Sequence, residues 1–293
     1  MKPAKFEYYG PASVDEALDN LAELGYDGKV LAGGQSLVAA MNFRMARPTA
    51  LVDLNNIPEL SYIKPAKNGG LAIGTMTRVN TVEYNPEVAR LFPLLPEVAK
   101  FIAHPAIRRR GTFGGAIAHA DPAGQLPGIA MVMNLQALIR GKGEERWVAA
   151  PDLIVGPFQT LIEPHEMLAE LVLEPWPART GSRYEQISRQ SGGATQSAVA
   201  SIVTLDENGK CKAARMVMTS VAEIPILSQK VSEILVGVAP TAEAILEVAE
   251  AATSSEIDPA TDLHGSADYK RDVTKALIVR SLTTAFERAQ KEG

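Results

Sequence analysis

The sequence predicts an α+β protein in which two α/β subdomains are followed by a third, smaller α/β domain. Three observations carry the prediction. The chain opens with a β-α-β pattern over about fifty residues. The strand-to-helix turn at Gly33-Gly34 is echoed about eighty residues on by a second paired-glycine turn at Gly114-Gly115. Two alternating strands joined by Asn208-Gly209 then precede a run of amphipathic helices. With 293 residues there is enough chain to bury a sizeable core shared among such units.

The first helix is written in its caps. Ser13 and Glu16 form a Ser-x-x-Glu capping box, and Val14, Ala17, Leu18, Leu21 and Leu24 follow at helical spacing. Gly25 suits the position just past the end. Lys29–Ala32 reads as a short buried strand, Leu37 to about Arg44 as a helix stopped before Pro48, and Ala50–Asn56 as a second strand. Together they make subdomain one, residues 1–57. Residues 58–177 form subdomain two. Its elements are a strand in "LAIGTM", a helix from about Asn80 or Thr81, and helix again through "LFPLLPEVAKFIA" until Pro105 restricts His104. A helix around Gln125–Met133 and a strand at Gln136–Arg140 complete it. "LVLEPWPARTG" carries three breakers in quick succession and sets the boundary of the C-terminal domain, residues 178–293. Within that domain Asn208-Gly209 is a hairpin signal, and "AEAILEVAEAA" and "DYKRDVTKALIVRSLTTAFERAQ" are helices that pack on the sheet.

Composition narrows the function. Apolar residues make up 46% and charged residues 22%, which excludes a disordered chain. The formal charge of −5 argues against a nucleic-acid binder, for which a basic balance is expected. Arg108-Arg109-Arg110 is the one dense basic spot and reads first as a solvated face. The single cysteine, Cys211, leaves no internal disulfide and no cysteine-ligated cluster or zinc, and reads as an inert thiol near a strand turn. "MKPAKFEYYG" lacks a signal peptide's apolar stretch, and no run approaches a membrane span. The expectation is a cytoplasmic protein without membrane insertion.

Two sites carry possible chemistry. Ala32-Gly33-Gly34-Gln35-Ser36 turns a strand into a helix with a bare backbone, leaving N–H groups free for a phosphate or pyrophosphate. The same residues also read as a tight turn with Ser36 as an N-cap. Thr112-Phe113-Gly114-Gly115 repeats the design, so two bare turns on two subdomains suggest one extended anionic ligand held from both sides. Asp121 follows, either to accept from ligand hydroxyls or to cap the turn at Pro122. No G-x-G-x-x-G, P-loop, nucleophile elbow or zinc helix is present. His104, His119, His165 and His264 are scattered and read as structural or surface residues, with no metal site. Phosphate cradles without an acid–base set point to a cofactor that brings its own reactivity.

At these residues the chain resembles a known family. "KVLAGGQSLVAAMNFRMARPTALVDLNNIPEL", with "RRRGTFGGAIAHADPAGQLP" further on, is similar to the FAD-binding medium subunit of molybdenum hydroxylases of the carbon monoxide dehydrogenase and xanthine dehydrogenase type. The similarity runs over nearly the whole chain. It implies a vanillyl-alcohol-oxidase-like FAD-binding fold of two α/β subdomains, then a C-terminal domain of a small antiparallel sheet with helices. By that resemblance Ala32, Gly33, Gly34, Gln35 and Ser36, with Thr112, Gly114 and Gly115, hold the FAD pyrophosphate. Lys29, Leu31 and Leu37 flank the first turn. Ile102 lies against the cofactor, Asp121 near its ribityl and ribose hydroxyls, and Tyr184 near the isoalloxazine ring. No catalytic residue belongs to this chain.

The resemblance further implies a large partner with molybdopterin and a small partner with [2Fe–2S] clusters, in a heterotrimer or its dimer. FAD would pass electrons on to NAD⁺, oxygen or another acceptor, and the substrate would be an N-heterocycle. A free-standing FAD-dependent oxidase is the alternative. Three departures stand out. Gln125 replaces a carboxylate, Gln186 a frequent lysine and Gly193 a frequent aspartate of the family pattern. The family region around Arg108–Arg110 also brings a partner or phosphate contact into consideration. Gly34→Val or Gly114→Val is expected to remove FAD while sparing the fold.

Overall fold

The computed structural model describes residues 1–291. The opening unit is a three-stranded parallel sheet in the order β1-β3-β2, built from β1 (Glu7–Tyr9), β2 (Gly28–Leu31) and β3 (Ala50–Asp53). Helix α1 (Val14–Leu24) precedes β2, and the six-residue α2 (Leu37–Asn42) joins β2 to β3. Ser13 caps α1 as its spacing predicts, its hydroxyl accepting from the Glu16 N–H, and the Glu16 carboxylate accepts from the Ala12 N–H. Gly25 ends the helix at φ 52°. Strand β2 is half-buried rather than buried, with Lys29 exposed, because it forms the edge of its sheet.

The second unit is a five-stranded antiparallel sheet in the order β4-β5-β10-β6-β7. Its strands are β4 (Ile63–Pro65), β5 (Leu71–Gly74), β6 (Gln136–Gly141), β7 (Glu144–Ala149) and β10 (Met167–Leu173). Between β5 and β6 run α3 (Val79–Tyr84), α4 (Pro86–Leu91), α5 (Leu94–Ala99), α6 (Pro105–Arg108), α7 (Phe113–His119) and α8 (Gln125–Val132). The helix expected to continue to His104 is thus broken into pieces. Pro93 and Pro96 lack the N–H a through-running helix needs and sit instead at the start of α5, where no donor is missed. Between β7 and β10 lie α9 (Ala150–Leu153) and a small hairpin of β8 (Ile154–Gly156) and β9 (Gln159–Thr160).

The C-terminal unit is a sheet of β11 (Thr180–Ser188), β12 (Thr195–Leu205), β13 (Cys211–Thr219) and β14 (Ile226–Leu227), in that order, followed by α10 (Lys230–Leu235), α11 (Ala242–Ser255) and α12 (Ala267–Lys291). Asn208-Gly209 does turn β12 into β13, but only Gly209 takes a positive φ, and the Asp206 carboxylate accepts from the Asn208 and Lys210 N–H groups. The register shifts at Leu205, so the connection is a bulged turn rather than a two-residue hairpin. Cys211 is buried at the start of β13, and burial pushes its thiol up to about 11, in keeping with an inert thiol.

All eleven residues of β12 are buried, so both faces of this sheet are covered. Val199, Val203 and Leu205 point into a core with α11 and α12. Ala198, Ala200 and Ile202 point the other way, into the same core as Phe92, Leu95, Phe113 and Leu171 of the second unit. A strand buried on both faces loses the apolar–polar alternation of a half-exposed one, and β12 buries Gln196, Ser197, Ser201 and Thr204 along with its apolar residues. The consequence is one apolar core spanning the second and third units, which fixes α8 and α5 against the C-terminal sheet.

Candidate functional site

The two paired-glycine turns meet. A Cβ on Gly33 would lie 2.5 Å from the Arg110 carbonyl oxygen and 2.7 Å from the Gly111 Cα, and one on Gly115 would lie 3.1 Å from the Ala32 Cβ. Real Cβ contacts do not come this close to backbone, so Gly33 is bare because the other lobe's backbone occupies the space. Gly34 has a different reason: its φ of 71° is a left-handed conformation that costs a side-chain-bearing residue. Arg78 stitches the same seam. Its guanidinium donates to the Arg110 carbonyl oxygen at 2.5 Å and to the Asn55 Oδ1 at 2.6 Å, while the Asn55 amide donates to the Ala32 carbonyl oxygen at 2.8 Å. Burial, with Arg110 nearby, lowers the Arg78 pKa.

The first turn leaves donors over. Among the described residues, none of the N–H groups of Gly33, Gly34, Gln35, Ser36 and Leu37 finds a protein acceptor. Ser36 makes no capping bond to the helix behind it, and the Gln35 side chain folds back onto the Gly33 carbonyl at 2.8 Å. Of the two readings of this turn, the capped one is therefore absent. Five consecutive N–H groups on a half-buried edge are what a phosphate group requires.

The second turn differs from the expected second cradle. The Phe113 N–H donates to the Thr77 carbonyl, the Gly114 N–H to the Thr75 carbonyl, and the Gly115 N–H to the Thr112 hydroxyl, at 2.8, 3.0 and 3.1 Å. Two of these donors are spent in docking α7 onto the segment that follows β5, and the third in capping α7 itself. Gly114 is buried with a would-be Cβ 2.0 Å from the Thr75 Oγ1, so Gly114→Val would disturb the fold itself and does not isolate ligand binding. Thr112 is buried too. Gly115, half-buried beside Ala32, is the part of this turn that borders the cleft.

The remaining expected residues fall into three groups. Leu31 and Leu37 bracket the first turn, and Lys29 is exposed further back on β2. Asp121 takes its capping role: its carboxylate accepts from the Ala123 N–H at 2.9 Å. Ile102 is half-buried in the turn after α5, and its carbonyl accepts from Arg108 at 3.0 Å. Arg108 is not a solvated residue. It is buried in an ion pair with Glu83 at 2.7 Å, while Arg109 and Arg110 are exposed. The triplet splits because α6 points one residue in three inward.

Tyr184 is 2% exposed, inside the shared core and edge-on to Phe101 with ring centroids 5.2 Å apart. Burial drives its phenol well above the ordinary tyrosine value, and the hydroxyl donates to the Gln186 Oε1 at 2.6 Å. It stands behind the site rather than on its surface. The Gln186 oxygen also accepts from Gln125 at 3.1 Å, and Gln125 reaches the Thr195 hydroxyl at 3.3 Å. Two of the three departures thus touch one another, as a neutral amide pair. Gly193, the third, lies in the loop whose Gly192 would collide with the Ala103 carbonyl if it carried a Cβ, 2.7 Å away.

His119 reads from the sequence as a structural or surface residue. At the last residue of α7 it is half-buried against the Phe158 ring, centroids 5.2 Å apart. Burial lowers its pKa, with Asp121 opposing and Lys29 adding to the effect, so Lys29 of the first lobe and Asp121 of the second both bear on it.

Comparison with known proteins bears on this geometry directly. The FAD binding domain in molybdopterin dehydrogenase matches residues 4–176, and the carbon monoxide dehydrogenase flavoprotein C-terminal domain matches residues 182–285. The alpha subunit of the 6-hydroxypseudooxynicotine dehydrogenase complex of Paenarthrobacter nicotinovorans is 38% identical over 99% of this chain and 97% of its own length. A chain of the carbon monoxide dehydrogenase of Hydrogenophaga pseudoflava, in a form lacking the Mo-pyranopterin moiety of its cofactor, superposes with a TM-score of 0.95 at 37% identity, over 98% of this chain and 99% of that one. A chain of quinoline 2-oxidoreductase from Pseudomonas putida 86 gives a TM-score of 0.92 at 32% identity, covering 99% of each. The chain belongs to the family of FAD-binding subunits of molybdenum hydroxylases, oxidoreductases that include the carbon monoxide dehydrogenase medium chains.

Proposed function

We propose that this chain is the electron-transfer flavoprotein subunit of a molybdenum-dependent dehydrogenase complex, holding FAD diphosphate on the N–H groups of Gly33 to Leu37. That run of unpaired donors at the seam carries the reading. Bound there, FAD supplies the interconversion of one- and two-electron steps, and the protein supplies position and exclusion of water. Residues 1–57 and 58–177 act as the two FAD lobes and 178–293 as the unit that closes the flavin end. Within the first lobe Gly34 sets the turn, Leu31 and Leu37 bracket it, and Lys29 adds positive charge. From the second lobe Gly115 shapes the facing wall, held there by the Thr112 hydroxyl behind it, and Ile102 offers an apolar side chain.

The partners are a large molybdopterin subunit, which holds the substrate, and a small [2Fe–2S] subunit, which delivers electrons one at a time. NAD⁺ or oxygen takes them away. An N-heterocyclic substrate is favoured by the likeness to a quinoline 2-oxidoreductase chain. No helix among the described residues is long and apolar enough to cross a membrane, which accords with a cytoplasmic complex.

The reading is tested by purifying the full chain alone and with its partners. A yellow protein with one FAD per chain, inert toward substrates until both partners are added, is the expected result. Substrate oxidation by the chain alone would replace the reading with that of a free-standing oxidase. A colourless protein that takes up no FAD would remove it altogether.

A further inference from the structure

The seam described above runs on to a group of side chains that the N–H cradle does not use. From the contact of Gly115 with Ala32, α7 leads forward to His119 and β2 leads back to Lys29. His119 lies four residues beyond Gly115, about 6 Å along α7 and on the same helix face, and Lys29 is near enough to bear on the His119 ring electrostatically, so residues of both lobes come together beyond the cradle. There the β8–β9 hairpin brings in Phe158. The Phe158 N–H is tied to the Ala120 carbonyl at 2.9 Å, which fastens the hairpin to the end of α7. Its backbone is held at φ 57°, an unfavourable conformation for a residue with a large side chain. Its ring nevertheless stands 58% exposed, touching the His119 ring at a 52° tilt.

We propose that Phe158 and His119 form the shelf on which the adenine of FAD stacks. Burial disfavours the His119 cation, so the ring meets a base as a neutral plane. Lys29 and Asp121 sit beside it, a cation for the neighbouring phosphate and an acceptor for ribose hydroxyls. The tight turn between the paired Gly156 and Gln159 accounts for the positive φ of Phe158, but not for a ring left exposed beside a second ring, one nucleoside's reach from free phosphate donors; a stacked base accounts for that. The shelf gives the chain its means of choosing FAD over FMN, which carries the same isoalloxazine and phosphate but no adenine. The inference rests on the FAD assignment proposed above.

The test titrates the deflavinated full chain with FAD and with FMN, using the wild type, Phe158→Ala and Phe158→Leu. Loss of one base–aromatic stack is expected to weaken FAD binding by about five- to hundredfold in Phe158→Ala. Phe158→Leu, which keeps apolar bulk without a π-face, should shift the same way by less. FMN affinity should not change, so the preference for FAD collapses. Phe158 is exposed, so thermal midpoints should stay near the wild type, and if the alanine variant fails to fold the leucine variant decides. Unchanged FAD affinity would overturn the shelf, as would an equal loss for FMN, which would put the isoalloxazine on Phe158 instead. A wild-type chain that binds neither flavin would overturn the FAD assignment itself.

Discussion

Gly33→Val is expected to cost the chain its FAD. The new Cβ would fall 2.5 Å from the Arg110 carbonyl oxygen and 2.7 Å from the Gly111 Cα, and neither is the free end of a side chain that can swing away. The first turn must lift off the second lobe. Two effects follow. Forcing apart a packed contact costs typically about 1–3 kcal/mol of stability. Displacing the turn also takes at least two N–H groups away from the diphosphate, and hydrogen bonds to charged acceptors contribute about 1.5–3 kcal/mol each. At about 1.4 kcal/mol per tenfold, affinity should fall at least about hundredfold. Absorbance near the flavin bands of the purified variant, set against protein concentration, reads this directly. Gly34→Ala is the instructive comparison, because its Cβ would meet only the side chains of Val38 and Leu31 at 3.2 and 3.4 Å, which can shift slightly, and its main penalty is the left-handed backbone. It should lose less FAD than Gly33→Val; the reverse order would show that the lobe contact is not what holds the cradle in place.

The second large effect belongs to Glu83→Ala. Glu83 and Arg108 are paired at 2.7 Å with side chains 4% and 8% exposed, so removing the carboxylate leaves a guanidinium buried without its counter-charge. Breaking one member of a buried pair costs about 3–5 kcal/mol. The damage should not stay in the helix layer. The Arg108 guanidinium also donates to the Ile102 carbonyl, and Ala103 next to it is held at φ 43°, so the pair sets the turn that carries Ile102. Urea unfolding is expected to show the stability loss, and the visible spectrum of the FAD-loaded variant is expected to shift as the apolar wall loosens. A Glu83→Ala variant as stable as the wild type would mean that the Arg108 charge finds water or another partner.

These two cases also mark where reading the sequence succeeds and where it stops. Local chemistry was legible. Ser13 and Glu16 announce α1, Gly25 ends it, and the bare turn after β2 gives the cradle its position, because each depends on neighbours within a few residues. The family pattern followed from the same residues, whereas the short strands β1, β4, β8 and β9 carry too few residues to show a period. Long-range contacts were not legible. Gly33 looks bare for a ligand's sake until the Arg110 carbonyl appears opposite it, seventy-odd residues away in the chain. Thr112-Phe113-Gly114-Gly115 looks like a second cradle until Thr75 and Thr77 claim its N–H groups.

Arg108 reads as solvated in a basic triplet because its partner Glu83 lies 25 positions earlier. Tyr184 looks available to a ligand until the shared core closes over it, and Gln125 and Gln186 look like separate departures until they are found in contact. His119 and Phe158 carry no local signal at all, since an isolated histidine and an aromatic after Gly-Pro are unremarkable until α7 and the β8–β9 hairpin bring them together.

Five amide donors define the site, and a structure of the FAD-loaded chain puts them to the test. The diphosphate oxygens should lie at hydrogen-bonding distance, about 2.7–3.2 Å, from the amide nitrogens between Gly33 and Leu37. A diphosphate seated anywhere else, with those N–H groups still facing water, would contradict it.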